Sequence, residues 1–91
     1  MTGTYRVTDD GLAGPGVAIR VHSIVVKSGG TAAVVAILNG TSNGTEYDQI
    51  NGTINQAVVR NYEGGMVLPT GCYINLDSNT TYVTVNLEVI G

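Results

Sequence analysis

The sequence lacks the features expected of a disulfide-bonded, zinc-bound or membrane-inserted protein. Its only cysteine is Cys72, which excludes an internal disulfide bond. With one histidine in addition, His22, the chain has too few Cys and His residues for a structural zinc site. No apolar run is long enough to span a membrane as a helix, and the first residues do not resemble a signal peptide. These absences predict a protein made in a cytosol that uses no cofactor, no metal and no membrane.

Charged and aromatic residues are also scarce. Charged residues make up 12% of the chain, about half the usual share, and there is no Phe or Trp. The four basic residues, Arg6, Arg20, Lys27 and Arg60, form no cluster, which argues against nucleic-acid binding. A surface with so little charge is often covered by something, because solubility normally requires more charge.

Alternating apolar and polar residues predict β-strands along most of the sequence. Residues 80–89 place Val83, Val85, Leu87 and Val89 on one face. Residues 71–77 alternate likewise, with Cys72, Ile74 and Leu76 predicted to face the core. Because only residues 78–79 separate these two strands, we expect them to form a hairpin.

The segment 17–27 is rich in β-branched residues, but its apolar phase slips by one residue. The slip predicts a β-bulge near His22 and Ser23. The next strand, residues 31–38, is apolar on both faces, which is unusual in an antiparallel protein of this size. Either this strand lies at the centre of a sandwich with a partner subunit behind it, or it lines the axis of an oligomer.

Turn signals separate the remaining strands. Asn39-Gly40 and Asn43-Gly44 bracket a hairpin loop, Asn51-Gly52 begins another turn, residues 63–65 predict a further turn, and Pro69 marks a corner. We therefore predict an all-β chain of about eight short strands, folded as an antiparallel, jelly-roll-like β-sandwich. We expect residues 1–91 to form a single domain, in which residues 1–16 are a strand and a loop that are a candidate for an extended arm.

The small size of the chain, without a disulfide or a metal, predicts a homo-oligomer. The predicted oligomer interface lies on the doubly apolar strand, at Val34, Val35, Ala36 and Ile37. The predicted partner contacts lie on the N-terminal strand and on the apolar strip before Pro69, at Tyr5, Val7, Met66, Val67 and Leu68.

No group of residues predicts catalysis, so we expect no enzymatic activity. Nothing near His22 marks a serine as a nucleophile, and the sequence contains no nucleophile-elbow pattern. Acidic loops at residues 9–10 and 77–79 are candidates for Ca²⁺ binding, although Asp and Asn in such loops also form turns. The Asn-x-Ser/Thr triplets are either glycosylation sites or hairpin turns, and the five tyrosines are either a sugar-stacking platform or cross-strand packing residues.

Residues 25–41, together with residues 65–74 and 82–85, resemble small β-sandwich proteins encoded among the structural genes of tailed phages. The resemblance implies a virion component made in the host cytoplasm, of the capsid-decoration or cement type. It would bind the major capsid protein as a homo-oligomer, with a trimer favoured, and stabilise the head. The alternative is a tail or fibre accessory that recognises a carbohydrate or another virion protein.

Overall fold

A computed structural model describes residues 2–91 as an all-β chain of eight strands. The described residues include no helix of the length and hydropathy needed to cross a lipid bilayer. The strands are β1 (Thr2–Val7), β2 (Gly11–Ala13), β3 (Ile19–Ser28), β4 (Val34–Asn39), β5 (Glu46–Asn51), β6 (Ala57–Leu68), β7 (Cys72–Leu76) and β8 (Thr80–Val89).

The strands form two antiparallel sheets of four. The front sheet has the order β1-β8-β3-β6, and the back sheet has the order β2-β7-β4-β5. The first strand pairs with the last, the second with the seventh, the third with the sixth, and the fourth with the fifth. This nesting is that of a hairpin rolled up on itself, which confirms the predicted jelly-roll-like sandwich.

A single apolar core lies between the two sheets. Inward-facing residues alternate along the strands, as predicted for residues 72–76 and 83–89, and six of the largest are fully buried. These six are Ile19, Ile24, Ile37, Ile50, Ile74 and Leu87. Aliphatic side chains fill the interior, and the aromatic rings Tyr5 and Tyr62 pack at its margins.

The predicted bulge in the long third strand is confirmed. Val21 pairs with Leu87 of β8 and Ser23 pairs with Asn86, so His22 is the extra residue. The turn predicted at residues 63–65 does not end the strand, because β6 extends from Ala57 to Leu68 and pairs with β3 on both sides of these residues. Residues 62–65 instead form a four-residue bulge opposite His22, in which Gly64 and Gly65 have φ of 79° and 87°. Glycine adopts such angles without strain, which explains why a sequence typical of a turn occurs inside a strand.

The predicted hairpin between residues 71–77 and 80–89 is wrong. The segment 77–79 crosses from the back sheet to the front sheet, so β7 pairs with β2 and β4, whereas β8 pairs with β1 and β3. The hairpin predicted around residues 39–44 is confirmed, since β4 and β5 pair directly. It is tight: a Cβ on Gly44 would collide with the carbonyl oxygen of Asn39.

The segment 29–33 connects β3 in the front sheet to β4 in the back sheet, and one buried hydroxyl group fixes its position. Ser28, at the end of β3, is buried, and its Oγ accepts a hydrogen bond of 3.0 Å from the amide of Ala33. The Gly52 amide donates to the Ala33 carbonyl at 2.7 Å, and a Cβ on Gly52 would collide with Ser28 Oγ. These contacts set the position at which β4 begins.

Candidate functional site

The outer face of the back sheet carries an apolar row that runs across three strands. Leu12 of β2 pairs with Tyr73 of β7, which pairs in turn with Leu38 of β4. Leu38 alternates with the inward-facing Ile37 and lies outside the core cluster, yet the residue is only 7% exposed. Its neighbours on the outer face therefore cover it, and a second, smaller apolar cluster lies on the surface of the sheet.

One charged residue, Glu46 of β5, pairs with Leu38 at the end of this row, and the other side chains around the row are polar but uncharged. In the next row of the face, Ala36 pairs with Asn75 on one side and Gln49 on the other, and Val34 pairs with Asn51 in the row beyond. Val34 is 42% exposed, as is Leu12. The strands of the back sheet contain no basic residue, and their two acids are Glu46 and Asp48. Asp48 is held in an ion pair at the edge of the sandwich, which leaves Glu46 as the only exposed charge on these strands.

The outer face of the front sheet is different in character. All four basic residues lie on its strands. Arg20 donates to Glu88 at 3.1 Å, and His22 Nε2 lies 3.6 Å from the same carboxylate oxygen. The guanidinium of Arg6 stacks on the ring of Tyr82, 4.0 Å from its centroid. The two outer faces therefore have opposite properties, one charged and hydroxyl-rich, the other nearly neutral with an apolar centre.

The structure divides the predicted oligomer interface between two environments. Val34 is exposed and Ala36 is half-buried, and both belong to the outer face of the back sheet. Val35 and Ile37 are fully buried in the core of their own subunit, so the prediction is wrong for these two residues. The strand is apolar on both faces because it covers the core with one face and contributes to the apolar row with the other.

The predicted partner contacts are corrected in the same way. Val7 and Leu68 are buried in the core, and Tyr5 and Met66 pack against it, which leaves Val67 as the one exposed member of the set. The N-terminal strand is paired with β8 along its whole length, from residue 2 to residue 7. It is therefore part of its own front sheet and does not extend away from the domain as an arm.

A polar cluster closes one open side of the sandwich, where the edge strands β5 and β6 approach each other. We call it the seam cluster, and it consists of Asp48, Arg60 and Tyr62. Arg60 Nη1 and the Tyr62 hydroxyl donate to the same oxygen, Asp48 Oδ2, at 2.7 and 2.6 Å. Burial, reinforced by the hydrogen bond to Asp48, raises the pKa of Tyr62 well above its usual range. The phenol remains protonated and serves as a donor, so the cluster joins the two sheets and contains no free base.

The two acidic loops proposed as Ca²⁺ ligands meet in one open pocket, which is lined by Asp9, Asp10 and Asp77 among other residues. Two of these carboxylates already accept hydrogen bonds from backbone amides. Asp10 accepts from the Leu76 amide at 2.8 Å, and Asp77 accepts from the Val34 amide at 2.9 Å. The described residues contain no group of three or more His, Cys, Asp or Glu side chains arranged to hold a metal ion. The arrangement fits the alternative interpretation, in which these acids fix the turns.

The hydrogen bonds of Asp77 also affect its ionisation. Partial burial acts to raise the pKa of this carboxyl group, but hydrogen bonds from Thr80, Val34 and Asn79 outweigh it. The pKa of Asp77 is therefore lowered below its ordinary value. A carboxylate that is stabilised in this way fixes the crossing between β7 and β8.

The remaining candidates have separate surroundings. Cys72 is fully buried, and burial raises the pKa of its thiol to about 12. The tyrosines do not form one platform. Tyr5 packs against the core, Tyr62 belongs to the seam cluster, and Tyr82 lies beneath Arg6 on the front face. Only Tyr73 and Tyr47 lie on strands of the back sheet.

The triplet at Asn39 illustrates the turn interpretation of the Asn-x-Ser/Thr motifs. Asn39 Oδ1 accepts from both the amide and the hydroxyl of Thr70, at 3.0 and 2.9 Å. Gly40, which follows, has φ of 78° and donates its amide to Gly71. The Asn39 side chain therefore ties the β4–β5 hairpin to the corner after β6.

Sequence reasoning missed the contributions of Leu12, Tyr73 and Leu38 to one row, and the whole of the seam cluster. Both depend on pairings between segments that are far apart in the sequence. One feature of the sequence indicates this row. Leu38 directly follows the inward-facing Ile37, so it faces outward, and it is nevertheless apolar.

Comparisons with protein-family models, with curated proteins and with solved structures found no match for this chain.

Proposed function

We propose that this chain is a non-enzymatic structural protein of a virion, of the capsid-decoration type. In this proposal it acts as a homo-oligomer on the particle surface, and the outer face of its back sheet attaches to the major capsid protein. The observation that carries the proposal is the contrast between the two outer faces. The back face presents Leu12 and Tyr73 in one row with the covered Leu38, and the only exposed charge on its strands is Glu46, which pairs with Leu38.

The physical reason is the cost of removing charge from water. Burying a charged side chain in an interface without a partner is expensive, whereas burying apolar atoms and amides that find hydrogen bonds is not. The core of a protein interface is accordingly depleted in charged residues. The front face, with Arg6, Arg20, Lys27 and Glu88, suits exposure to solvent.

The sequence resemblance to phage structural proteins is what supports the major capsid protein as the proposed partner. A decoration protein needs a rigid, compact body and one attachment surface, and it needs no active site. The jelly-roll sandwich and the neutral back face meet both requirements. The seam cluster and the acidic pocket have structural roles within the chain, which is consistent with a mechanical function.

One observation favours a second candidate, a tail or fibre module that binds a carbohydrate. Tyr73 lies on the back face next to the row that holds the amides of Asn75 and Gln49. An aromatic ring beside amide groups can stack on a sugar and bind its hydroxyls. The same surface would then hold a small polar ligand in place of a capsid protein.

Two measurements test the proposal on particles of a phage that encodes the chain. The copy number of the chain per particle should be comparable to that of the major capsid protein. A copy number of a few chains favours the tail module, and absence from particles refutes both candidates.

The second measurement adds purified variants back to particles that lack the chain. Val34→Glu places a charge on the back face, and Val59→Glu places the same charge on the front sheet, at a valine that is 55% exposed. Both variants should fold, since both valines are exposed. We expect Val34→Glu to lose attachment and Val59→Glu to retain it. Equal attachment of the two variants would contradict the assignment of the back face.

A further inference from the structure

Each sheet of the sandwich has two edge strands, β1 and β6 in the front sheet and β2 and β5 in the back sheet. An edge strand presents unpaired N–H and C=O groups, to which another strand can bind. Proteins usually block such edges with very short strands, bulges, prolines or charged residues that point inward. The four edges of this chain differ in whether they carry these features.

Three of the edges are blocked. Strand β2 has only three residues and is closely followed by Pro15. Strand β5 is irregular, with Tyr47 as an extra residue, and its Asp48 points toward the seam between the sheets. Strand β6 contains the four-residue bulge at residues 62–65 and turns Arg60 toward the same seam.

The fourth edge, β1, has none of these features. Its six residues pair with β8 in an unbroken register, without a bulge, a proline or a lysine. Its one charge, Arg6, lies over the ring of Tyr82 on the outer face and does not point inward. Within residues 2–91, no strand pairs with the other side of β1.

We propose that β1 is a contact between two copies of this chain. The two β1 strands pair antiparallel about a two-fold axis at Thr4, and the two front sheets join into one continuous sheet of eight strands. A two-fold contact requires a segment that is complementary to itself, and β1 meets this requirement in the register centred on Thr4.

The side chains that meet in this register explain why a second copy is the occupant. Thr4 lies opposite Thr4 of the second copy, and Thr–Thr pairs are favourable across antiparallel strands. Arg6 lies opposite Thr2 of the second copy, and that threonine is paired within its own sheet with Glu88. Arg6 of one copy therefore enters a row that contains an acid of the other. No two like charges lie opposite each other.

This inference deepens the proposed function, since it names the contact within the proposed homo-oligomer. It rests on the proposal that the chain is a homo-oligomer and not on its attachment to a capsid. It concerns the edge of the front sheet, whereas attachment to a capsid concerns the back face. The experiment below uses the purified chain without particles, so failure of one proposal is distinguishable from failure of the other.

The test measures the mass of the full chain by light scattering over a range of concentrations. The expected mass at high concentration is twice the 9.4 kDa of the chain. The variant Thr4→Lys places two lysines opposite each other at the axis. Asn61→Lys is its matched control, because Thr4 and Asn61 occupy the same row of the front sheet at its two opposite edges. We expect Thr4→Lys to raise the dimer dissociation constant about fivefold or more, and Asn61→Lys to leave it unchanged.

Hydrogen exchange provides a second readout that does not depend on a substitution. Backbone amides of residues 2–7 that point away from β8 should become protected as the concentration rises, while those on the free edge of β6 should not. A monomer at every concentration, a mass of three chains, equal weakening by both lysine variants, or unchanged exchange in β1 would each overturn the proposal.

Discussion

The seam cluster allows a sharp prediction, because one carboxylate oxygen links the edges of two sheets. The substitution Asp48→Ala removes the acceptor for Arg60 and Tyr62 together. The Asp48 side chain is 21% exposed and the Arg60 side chain is 43% exposed, so solvent screens the ion pair in part. A hydrogen bond to a charged group contributes about 1.5–3 kcal/mol when shielded, and an exposed ion pair contributes less than about 1 kcal/mol.

Taken together, these contributions predict that Asp48→Ala lowers the free energy of unfolding by roughly 2–3 kcal/mol. In a domain of this size the unfolding temperature should fall by roughly 10–20 °C. Tyr62→Phe, which removes only the phenolic hydrogen bond to this carboxylate, should cost about 1.5 kcal/mol, the lower end of the range for a hydrogen bond to a charged group. Urea unfolding followed by far-UV circular dichroism measures the free energy of unfolding of both variants, and thermal unfolding measures the change in unfolding temperature. The protein concentration must be fixed, because association of the folded chain would add to its apparent stability.

The ion pair between Arg20 and Glu88 is the matched control. It lies within one sheet on the outer face of the molecule, where its side chains are 38% and 33% exposed. Glu88→Ala should therefore cost less than about 1 kcal/mol. Equal losses from Asp48→Ala and Glu88→Ala, or a loss below about 0.5 kcal/mol from Asp48→Ala, would refute the idea that the seam cluster holds the two sheets together.

Three further predictions follow from other parts of the fold. Cys72, whose pKa burial raises to about 12, should react with a thiol reagent slowly in the native state and rapidly in denaturant, and rapid native labelling would contradict its position in the core. Because the pKa of Asp77 is lower in the folded chain than its ordinary value of 3.8, its contribution to stability is complete above that pH and is lost as the pH falls through the folded value. The loss of stability in acid should accordingly be smaller in Asp77→Asn, and an unchanged acid profile would show that another group is responsible. Gly44→Ala should destabilise the chain by about 1–3 kcal/mol, since the new methyl group meets the Asn39 carbonyl, and melting curves indistinguishable from the parent would contradict the tight hairpin.

Local patterns predicted the strands well, because alternation and phase are properties of a few neighbouring residues. The bulge at His22 is an example: a slip of one residue in the apolar phase of β3 corresponds to the extra residue opposite β8. The inward set Cys72 and Ile74 was predicted on the same basis and is fully buried. In each case the information lies within a single strand.

The errors concern which strands become neighbours. A short turn such as residues 77–79 connects two strands either within one sheet or between two sheets, and its composition is compatible with both. The glycines of residues 63–65 permit a turn or a bulge, and the pairing of β6 with β3 decides between them. The apolar residues of β4 fit a core or an interface. Val35 and Ile37 were assigned to the interface because the sequence does not show which side of the strand meets the opposing sheet.

The nested topology explains why the two open sides of the sandwich differ. On one side β5 and β6 meet, and Asp48 and Arg60 form an ion pair across the seam. On the other side β1 approaches β2, and no ion pair among the described residues joins these two strands. The unblocked edge of β1 lies on this second side, next to the strand that supplies Leu12 to the apolar row of the back face. Each proposed contact uses strands that carry a single charge outside the seam cluster, Arg6 on β1 and Glu46 on the back sheet, so each interface has to accommodate only one charged side chain per subunit.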